Sequence, residues 1–350
     1  SNLQRTDFTT ATLLSRLMEA QQAKSQKTVQ SISDSYQTKI NTITREQDNY
    51  RALKKGIDTA ATQIHNNLGR IKSIRSRIES MILNINKASQ QTGTNVNYSG
   101  YASAFNSVLK GIDLTAKTGK EPNLLGSSDL SLTYKTGLNG STASVQGAYL
   151  GSDYSILEPT GKYWALNRNA KNIKRYDSYP NTPTNKVGTL QGGIRLDSQT
   201  GNAITFTISP NSATPEQFSG TLTRRGLKVM DSWYYNDFAT QADRNNALTD
   251  LKSAQTALNL EVSRYEVAAS VSSFYADRAY SQIKGLRTES NTQLIKQAQS
   301  IKKAQDKLSF EFQMTQSTVA QSLAMKNQYA NMLSPFIKSP LARALINFTT

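Results

Sequence analysis

Four sets of residues have types and spacing from which chemistry could be built. Asp153 and Glu158 form a carboxylate pair of the kind a glycoside-cleaving site uses, although chains of this length carry such pairs by chance. His65 is the only histidine and there is no cysteine. A zinc cluster of several His or Cys ligands and a Cys–His nucleophile pair are therefore excluded. Gly192-Gly193 lacks the pattern and context of a phosphate-cradling loop. The fourth set is Lys162-Tyr163-Trp164-Ala165-Leu166-Asn167-Arg168, followed by Lys171, Lys174-Arg175-Tyr176 and Tyr179. Aromatic rings interleaved with cations stack on sugars or bases while screening acidic groups. Lys162, Trp164, Arg168, Lys171, Lys174 and Arg175 are thus a candidate acidic-ligand surface. The competing reading is a solvated loop whose Tyr163 and Trp164 pack on their own core. No catalytic residue, cofactor or metal is expected.

Composition narrows the partners. Lys plus Arg number 41 against 25 Asp plus Glu, a formal net charge of +16 in 350 residues. Such an excess favours anionic partners or a solvated basic surface. No run of 18 apolar residues occurs, so membrane insertion is not expected. Residues 1–10 show no basic segment followed by an apolar one, and no cleaved secretory signal is expected there.

The elements that must position these residues are dominated by one stripe. Val29, Ile32, Tyr36, Ile40 and Ile43 step by three or four. The row passes Gln47 and resumes at Tyr50, Leu53, Ile57, Ala60, Ile64, Leu68, Ile71, Ile74, Ile78, Ile82 and Ile85. That spacing predicts one long helix with an apolar seam, uninterrupted by proline. Gly56 marks a possible joint in it. A second helix is predicted over 101–116, ended by Gly119 and Pro122, and Leu130, Leu132 and Tyr134 alternate as a strand. From Gly137 to Gly201 the composition turns to Gly, Ser, Thr, Asn and Pro, implying β pairing with long loops. Residues 203–208 alternate clearly, and the strands at 130–134 and 203–208 are expected to pair across the insert. Helix returns at Asp243 with a second seam through Leu248, Leu251, Leu258, Val262, Tyr265, Ala269, Ala276, Ile283 and Leu286. It continues to Pro335, and Phe336, Ile337, Leu341, Leu345 and Ile346 form an amphipathic tail. Ile57, Ile64, Leu68, Ile71, Ile74, Ile78, Leu258, Val262 and Tyr265 are the candidate assembly seam, facing other long helices in this chain or in neighbouring subunits.

Several segments resemble the bacterial flagellin family. Asn66-Asn67-Leu68-Gly69-Arg70-Ile71-Lys72-Ser73-Ile74 is similar to that family's N-N-L-x-R-[VI]-[RK]-x-[LI] helix, with Asn66, Asn67, Leu68, Arg70 and Ile71 as the matching positions. Phe105 to Asp113 resembles its second helix, Asn123-Leu124-Leu125 the turn that follows, and Gly226-Leu227-Lys228-Val229 the strand leading into the C-terminal half. Residues 247–265 and 320–334 resemble the return helices. The likeness covers roughly residues 57–135 and 220–334. It implies a mainly α fold with a β insert: an antiparallel coiled-coil rod made by the two halves of the chain. Residues 1–53 with 290–350 would form the filament core, 54–136 with 202–289 a helical rod with a β-hairpin, and 137–201 an outward β-rich domain. It implies a homopolymer, the extracellular flagellar filament used for motility, exported through the flagellar type III channel without a cleaved signal. An export chaperone and a filament cap would be its partners, with no nucleic acid. Two alternatives remain open from the sequence: a hook–filament junction protein of the same superfamily, and a basic coiled-coil module binding acidic glycan or nucleic acid.

Overall fold

The fold is given by a computed structural model that describes residues 2–93, 96–117 and 123–337, with side chains between 11 and 332. Helix α1 is Asn2–Ser89 and α2 is Tyr98–Lys117. Nine strands follow: β1 Ser131–Lys135, β2 Thr142–Gln146, β3 Ser152–Leu157, β4 Tyr163–Asn167, β5 Asn172–Ser178, β6 Thr182–Thr189, β7 Ile194–Thr200, β8 Ala203–Ile208 and β9 Glu216–Gly226. A short helical turn, Ser232–Phe238, leads into α3, Gln241–Ile337. The chain is mainly helical with an antiparallel β insert, as its periodicity predicts. The predicted joint at Gly56 is absent, because α1 is continuous through it. A glycine costs a helix only about 1 kcal/mol, which the seam on either side outweighs. Pro335 lies in the last turn of α3 instead of ending it; there its missing donor forfeits a single bond. Gly119, Pro122 and the tail beyond Ile337 lie outside the described residues.

The chain divides into two compact units, residues 1–50 with 281–350 and residues 51–280. In the second, the α1 seam is closed within the chain. Ile57, Ile64, Ile71, Ile74, Ile78 and Ile85 are wholly buried. So are Leu251, Leu258 and Tyr265 of α3 and Phe105, Leu109 and Ile112 of α2. Lys72 pairs with Glu266 at 2.9 Å, and Gln241 Nε2 reaches Ser89 Oγ at 3.5 Å, so the α1 and α3 segments of this unit run antiparallel. In the first unit the same direction holds. Gln21 Nε2 donates to the Leu308 carbonyl at 2.6 Å, Gln297 Nε2 to Ser33 Oγ at 3.1 Å, and Tyr36 and Ser300 share a hydrogen bond of 3.1 Å. The step over Gln47 has a reason: its amide is buried and donates to the Ile283 carbonyl at 3.4 Å.

The β region is more ordered than its composition suggests. β1 and β2 form a hairpin by themselves. The other seven strands make one antiparallel sheet in the order β6-β5-β4-β3-β9-β8-β7. This corrects two expectations. The strand at 131–135 takes its partner from within the insert, and β8 lies between β7 and β9; the expected pairing of the two does not occur. The expected boundary between 201 and 202 falls inside the sheet, since β9 returns to pair with β3. The polar intervening residues supply local hairpin partners, which close faster and at lower entropic cost than a pairing across some 70 residues. The sheet curls so that its two edges approach: a Cβ at Gly188 of β6 would meet Ile194 of β7 at 2.5 Å. Trp164, Phe206 and Phe218 fill the curl with edge-on ring contacts of 5.0 and 5.3 Å. Gly226 ends β9 at φ +68°, where a Cβ would strike the Gly151 carbonyl at 2.0 Å, so no other residue fits.

The closed seam predicts the cost of opening it. Replacing Ile71 by Asp leaves an unpaired carboxylate where an isobutyl-sized group is removed. Circular dichroism at 222 nm should show the residue 51–280 unit destabilised by on the order of 4 kcal/mol or unfolded. Melting like the wild type would mean that the seam is solvent-facing.

Candidate functional site

The sequence-predicted residues fall into three different environments. All nine of the candidate assembly-seam residues, Ile57, Ile64, Leu68, Ile71, Ile74, Ile78, Leu258, Val262 and Tyr265, are buried in the single chain. They are the core of one unit. A face offered to another copy must therefore be built from other residues. In the flagellin-like motif, Asn67 and Leu68 are buried and Asn66 is exposed. Arg70 donates through Nε and Nη2 to the Thr115 carbonyl at 3.1 and 2.6 Å and through Nη2 to Ala116 at 3.0 Å. Its Nη1 donates to Asn67 Oδ1 at 3.1 Å. The motif thus caps α2: a cation sits on carbonyls that the helix cannot satisfy itself. His65 is exposed on α1, its Nδ1 3.0 Å from the Ala61 carbonyl.

The interleaved aromatic and cationic stretch is not a continuous surface. Strand alternation turns Trp164 into the sheet core, where Nε1 donates to Glu158 at 2.7 Å. Arg175 makes a two-pronged contact with the same carboxylate, 2.7 Å on each oxygen. Lys162 pairs with Asp177 at 3.0 Å. Lys171 is exposed and Lys174 half-buried. Period-two alternation sends neighbouring side chains to opposite faces, so the cations are dispersed. The same geometry disposes of Asp153 and Glu158 as a reacting pair. Glu158 is buried and already occupied by Arg175, Trp164 and Thr160. Asp153 accepts the Tyr154 backbone N–H at 2.9 Å.

Arg168 has the most unusual setting. It is buried, and its Nε and Nη2 grip Asp231 at 3.1 and 3.0 Å. Its Nη1 donates to Asp113 of α2 and to the Ser152 carbonyl of β3, and Asp113 also accepts the Ser152 N–H at 2.7 Å. The guanidinium therefore ties α2, β3, the β4–β5 turn and the segment after β9 together. Burial opposes its charge, but Asp231 and Asp113 outweigh burial and push its pKa above the ordinary value. One guanidinium facing two carboxylates leaves burial dominant at Asp113, whose pKa is raised. The sequence signal for this knot was present: Asp113 continues the apolar face Phe105, Leu109, Ile112, and a carboxylate on such a face requires a buried cation. Nothing in the spacing says that the cation is Arg168.

The fold leaves two sets of large apolar side chains uncovered. In the 51–280 unit, Leu260, Val267, Val271 and Phe274 line one outer stripe of α3. Val267, Val271 and Phe274, with Ser263, Glu266, Ser270 and Tyr275, form a groove of about 580 Å³. In the other unit, the buried side chains among the described residues are Ile40, Ile43, Gln47 and Leu308. Leu13, Leu14, Met18, Ile295, Phe310, Met314, Met325, Tyr329 and Met332 are all exposed. Among the described residues no helix is long and apolar enough to cross a membrane, and no group of three or more His, Cys, Asp or Glu is placed to hold a metal.

These features define the class: a mainly helical chain, paired in antiparallel fashion, with an antiparallel β insert and apolar outer helix faces. No protein-family model and no curated protein matches the chain. Solved structures similar to it include FliC from Burkholderia pseudomallei, at 17% identity over 71% of this chain and 99% of that one, with a TM-score of 0.23. A flagellar hook associated protein-3 from Legionella pneumophila aligns at 12% identity over 76% of this chain and 99% of that one, TM-score 0.26. FlgL from Xanthomonas campestris aligns at 12% identity over 78% and 99%, TM-score 0.27.

The Glu158 pocket gives a pH prediction. Burial raises the Glu158 pKa, but hydrogen bonds from Arg175, Trp164 and Thr160 win and hold it below the usual carboxylate value. A depressed folded pKa contributes stability above the unfolded value, about 4.3, and loses it as pH falls through the folded value. The urea midpoint followed by Trp fluorescence should therefore drop more steeply below about pH 4.3 in the wild type than in Glu158→Gln, which lacks the titrating group. Parallel curves for the two proteins would remove Glu158 from the account.

Proposed function

We propose that this chain is a structural subunit of the bacterial flagellum, polymerising with copies of itself into the extracellular filament. One observation carries the reading: among the described residues, the two helices paired antiparallel in the 1–50 and 281–350 unit bury only Ile40, Ile43, Gln47 and Leu308 and expose a dense set of large apolar side chains. A helix with an uncovered apolar face finds a second surface. Among the described residues neither helix of this pair has another partner within its unit, and in this reading the surface is supplied by neighbouring copies. The flagellin-like motifs agree with this. They fall on parts that build the subunit itself, such as the Arg70 cap on α2 and the Gly226 corner after β9.

In this reading the paired terminal helices, residues 1–53 with 290–350, are the filament core. The stripe Leu260, Val267, Val271, Phe274 adds a lateral contact, and the β region faces outward. The mechanism is assembly, with no reaction to catalyse. Export through the flagellar channel, an export chaperone and a filament cap belong to the same proposal. The basic charge of +16 makes subunit repulsion salt-dependent, so assembly is favoured as ionic strength screens it.

Electron microscopy of the purified protein, at rising concentration and at two salt concentrations, tests the proposal. Helical filaments are expected. The double variant Val267→Asp, Phe274→Asp should melt like the wild type, because both positions are solvent-facing in the single chain, yet form few or no filaments. A wild-type protein that stays monomeric throughout, or a double variant that assembles equally well, would overturn the reading.

A further inference from the structure

We propose that a recess between α2 and the β4–β5 and β6–β7 turns binds one acidic sugar ring, a monosaccharide carboxylate, independently of assembly. The recess has a volume of about 200 Å³. That is the space of about seven waters at ~30 Å³ each and below the ~300–1,000 Å³ of larger ligand sites. It admits a single ring, not an oligosaccharide chain.

Its walls separate by chemistry. Along α2, Ser103, Ser107 and Lys110 recur at one helical face and line one side; Lys171 and Thr189 line the other. The side-chain ammonium groups of Lys110 and Lys171 have no ion-pair or hydrogen-bond partner among the described residues, unlike those of Lys162 and Lys186, which pair with Asp177 and Glu216. The hydroxyls of Ser103, Ser107 and Thr189 are likewise uncommitted and can donate to or accept from a polyol. The floor is Leu190, buried and apolar, suited to the C–H face of a ring, beside the Arg168–Asp231 pair. Three carboxylates stand near the floor: Asp113 and Asp231, both bound by Arg168, and Asp237, which accepts from Ser232 Oγ and from the Gly192 N–H. Lys110, Lys171 and Arg168 balance those three acids, and the accessible cations at the mouth are the two lysines.

The rim is also held in place before any ligand arrives. Lys171 has φ +54°, a strained conformation for a residue with a long side chain. It is fixed by its own N–H on the Arg168 carbonyl at 3.2 Å and by the Leu190 N–H on the Lys171 carbonyl at 3.0 Å. On the next turn, Gln191 Nε2 donates to the Ser99 carbonyl at 2.7 Å, and Gly192 N–H donates to Asp237 at 2.9 Å. Asn106 bridges the floor, exchanging bonds with Ser232 at 2.8 and 2.9 Å. A preformed rim with two unpaired cations is what a small anion needs for recognition at low ordering cost. The hydroxyls and the apolar floor add the preference for a sugar.

The test is ligand-observed NMR titration of the dilute protein with glucuronate, glucose and inorganic phosphate. Saturable glucuronate binding is expected, tighter than that of glucose or phosphate. Lys110→Gln and Lys171→Asn each remove one cation, and Asn tolerates the positive φ at 171. Each should weaken glucuronate about three- to five-fold, the pair together about ten-fold or more, with unchanged melting curves. Glucose binding should be little affected by either. Absence of saturable glucuronate binding, equal binding of glucose, phosphate binding as tight as glucuronate, or a double variant that binds like the wild type would each overturn the assignment.

Discussion

A row of isoleucines spaced by three and four residues has to be covered, and in this chain it is covered from within. Burying one such side chain is worth roughly 1.5–3 kcal/mol, and six isoleucines of α1 between Ile57 and Ile85 are wholly buried. They are matched by α3 and α2 side chains that are equally inaccessible. Everything else in the 51–280 unit is placed relative to that closed seam. The return of α3 antiparallel to α1 follows from it, and so does the position of α2, whose C-terminal carbonyls are held by Arg70. Because the seam is spent inside the subunit, the contacts available to other molecules are those on the outer faces.

The β insert is joined to this helical frame by charge as well as by apolar contact. Removing one partner of a buried ion pair typically costs 3–5 kcal/mol, so Arg168 locks Asp113, Ser152 and Asp231 into a single arrangement. Next to it, Phe105 packs edge-on to Phe238 and Tyr235 at 5.0 and 6.0 Å. Tyr235 in turn donates to Asp250 of α3 at 2.7 Å. The strained turn at Asn236, Asp237 and Phe238, all at positive φ, is held by these bonds. The sheet is thereby fixed to α2 and α3, and the recess above Arg168 acquires a rigid floor.

The helices were legible because their signal is periodic and local. The seams predicted α1 and α3, and the apolar face Phe105, Leu109, Ile112 predicted α2. The β region was only half legible. Alternation revealed β8, but strand partners depend on turn chemistry and on which residues lie between them, so β1 was assigned the wrong mate. The candidate ligand surface was only partly legible for a related reason. A list of cations and rings along an extended strand does not say which face each one takes, and Trp164 and Arg168 turned inward. Unpaired lysines became visible only when α2 was placed beside the β4–β5 turn, 61 positions away by Lys110 and Lys171. The seam was read correctly as apolar, but periodicity alone cannot tell a partner in the same chain from one in a neighbour.

The central claim is that α3 has an inner face closed within the subunit and an outer face closed only by other copies. Val262 and Val267 sit on these two faces of the same helix, 6% and 64% exposed, and the chain contains no cysteine to interfere. The direct measurement is the rate at which Val262→Cys and Val267→Cys react with a thiol reagent, in dilute protein and under assembly conditions. The account predicts that the thiol at 262 is slow in both states, while the thiol at 267 is fast in dilute protein and becomes slow on assembly. A thiol at 262 that reacts as fast as the one at 267 in dilute protein, or one at 267 that stays equally reactive in both states, would contradict it.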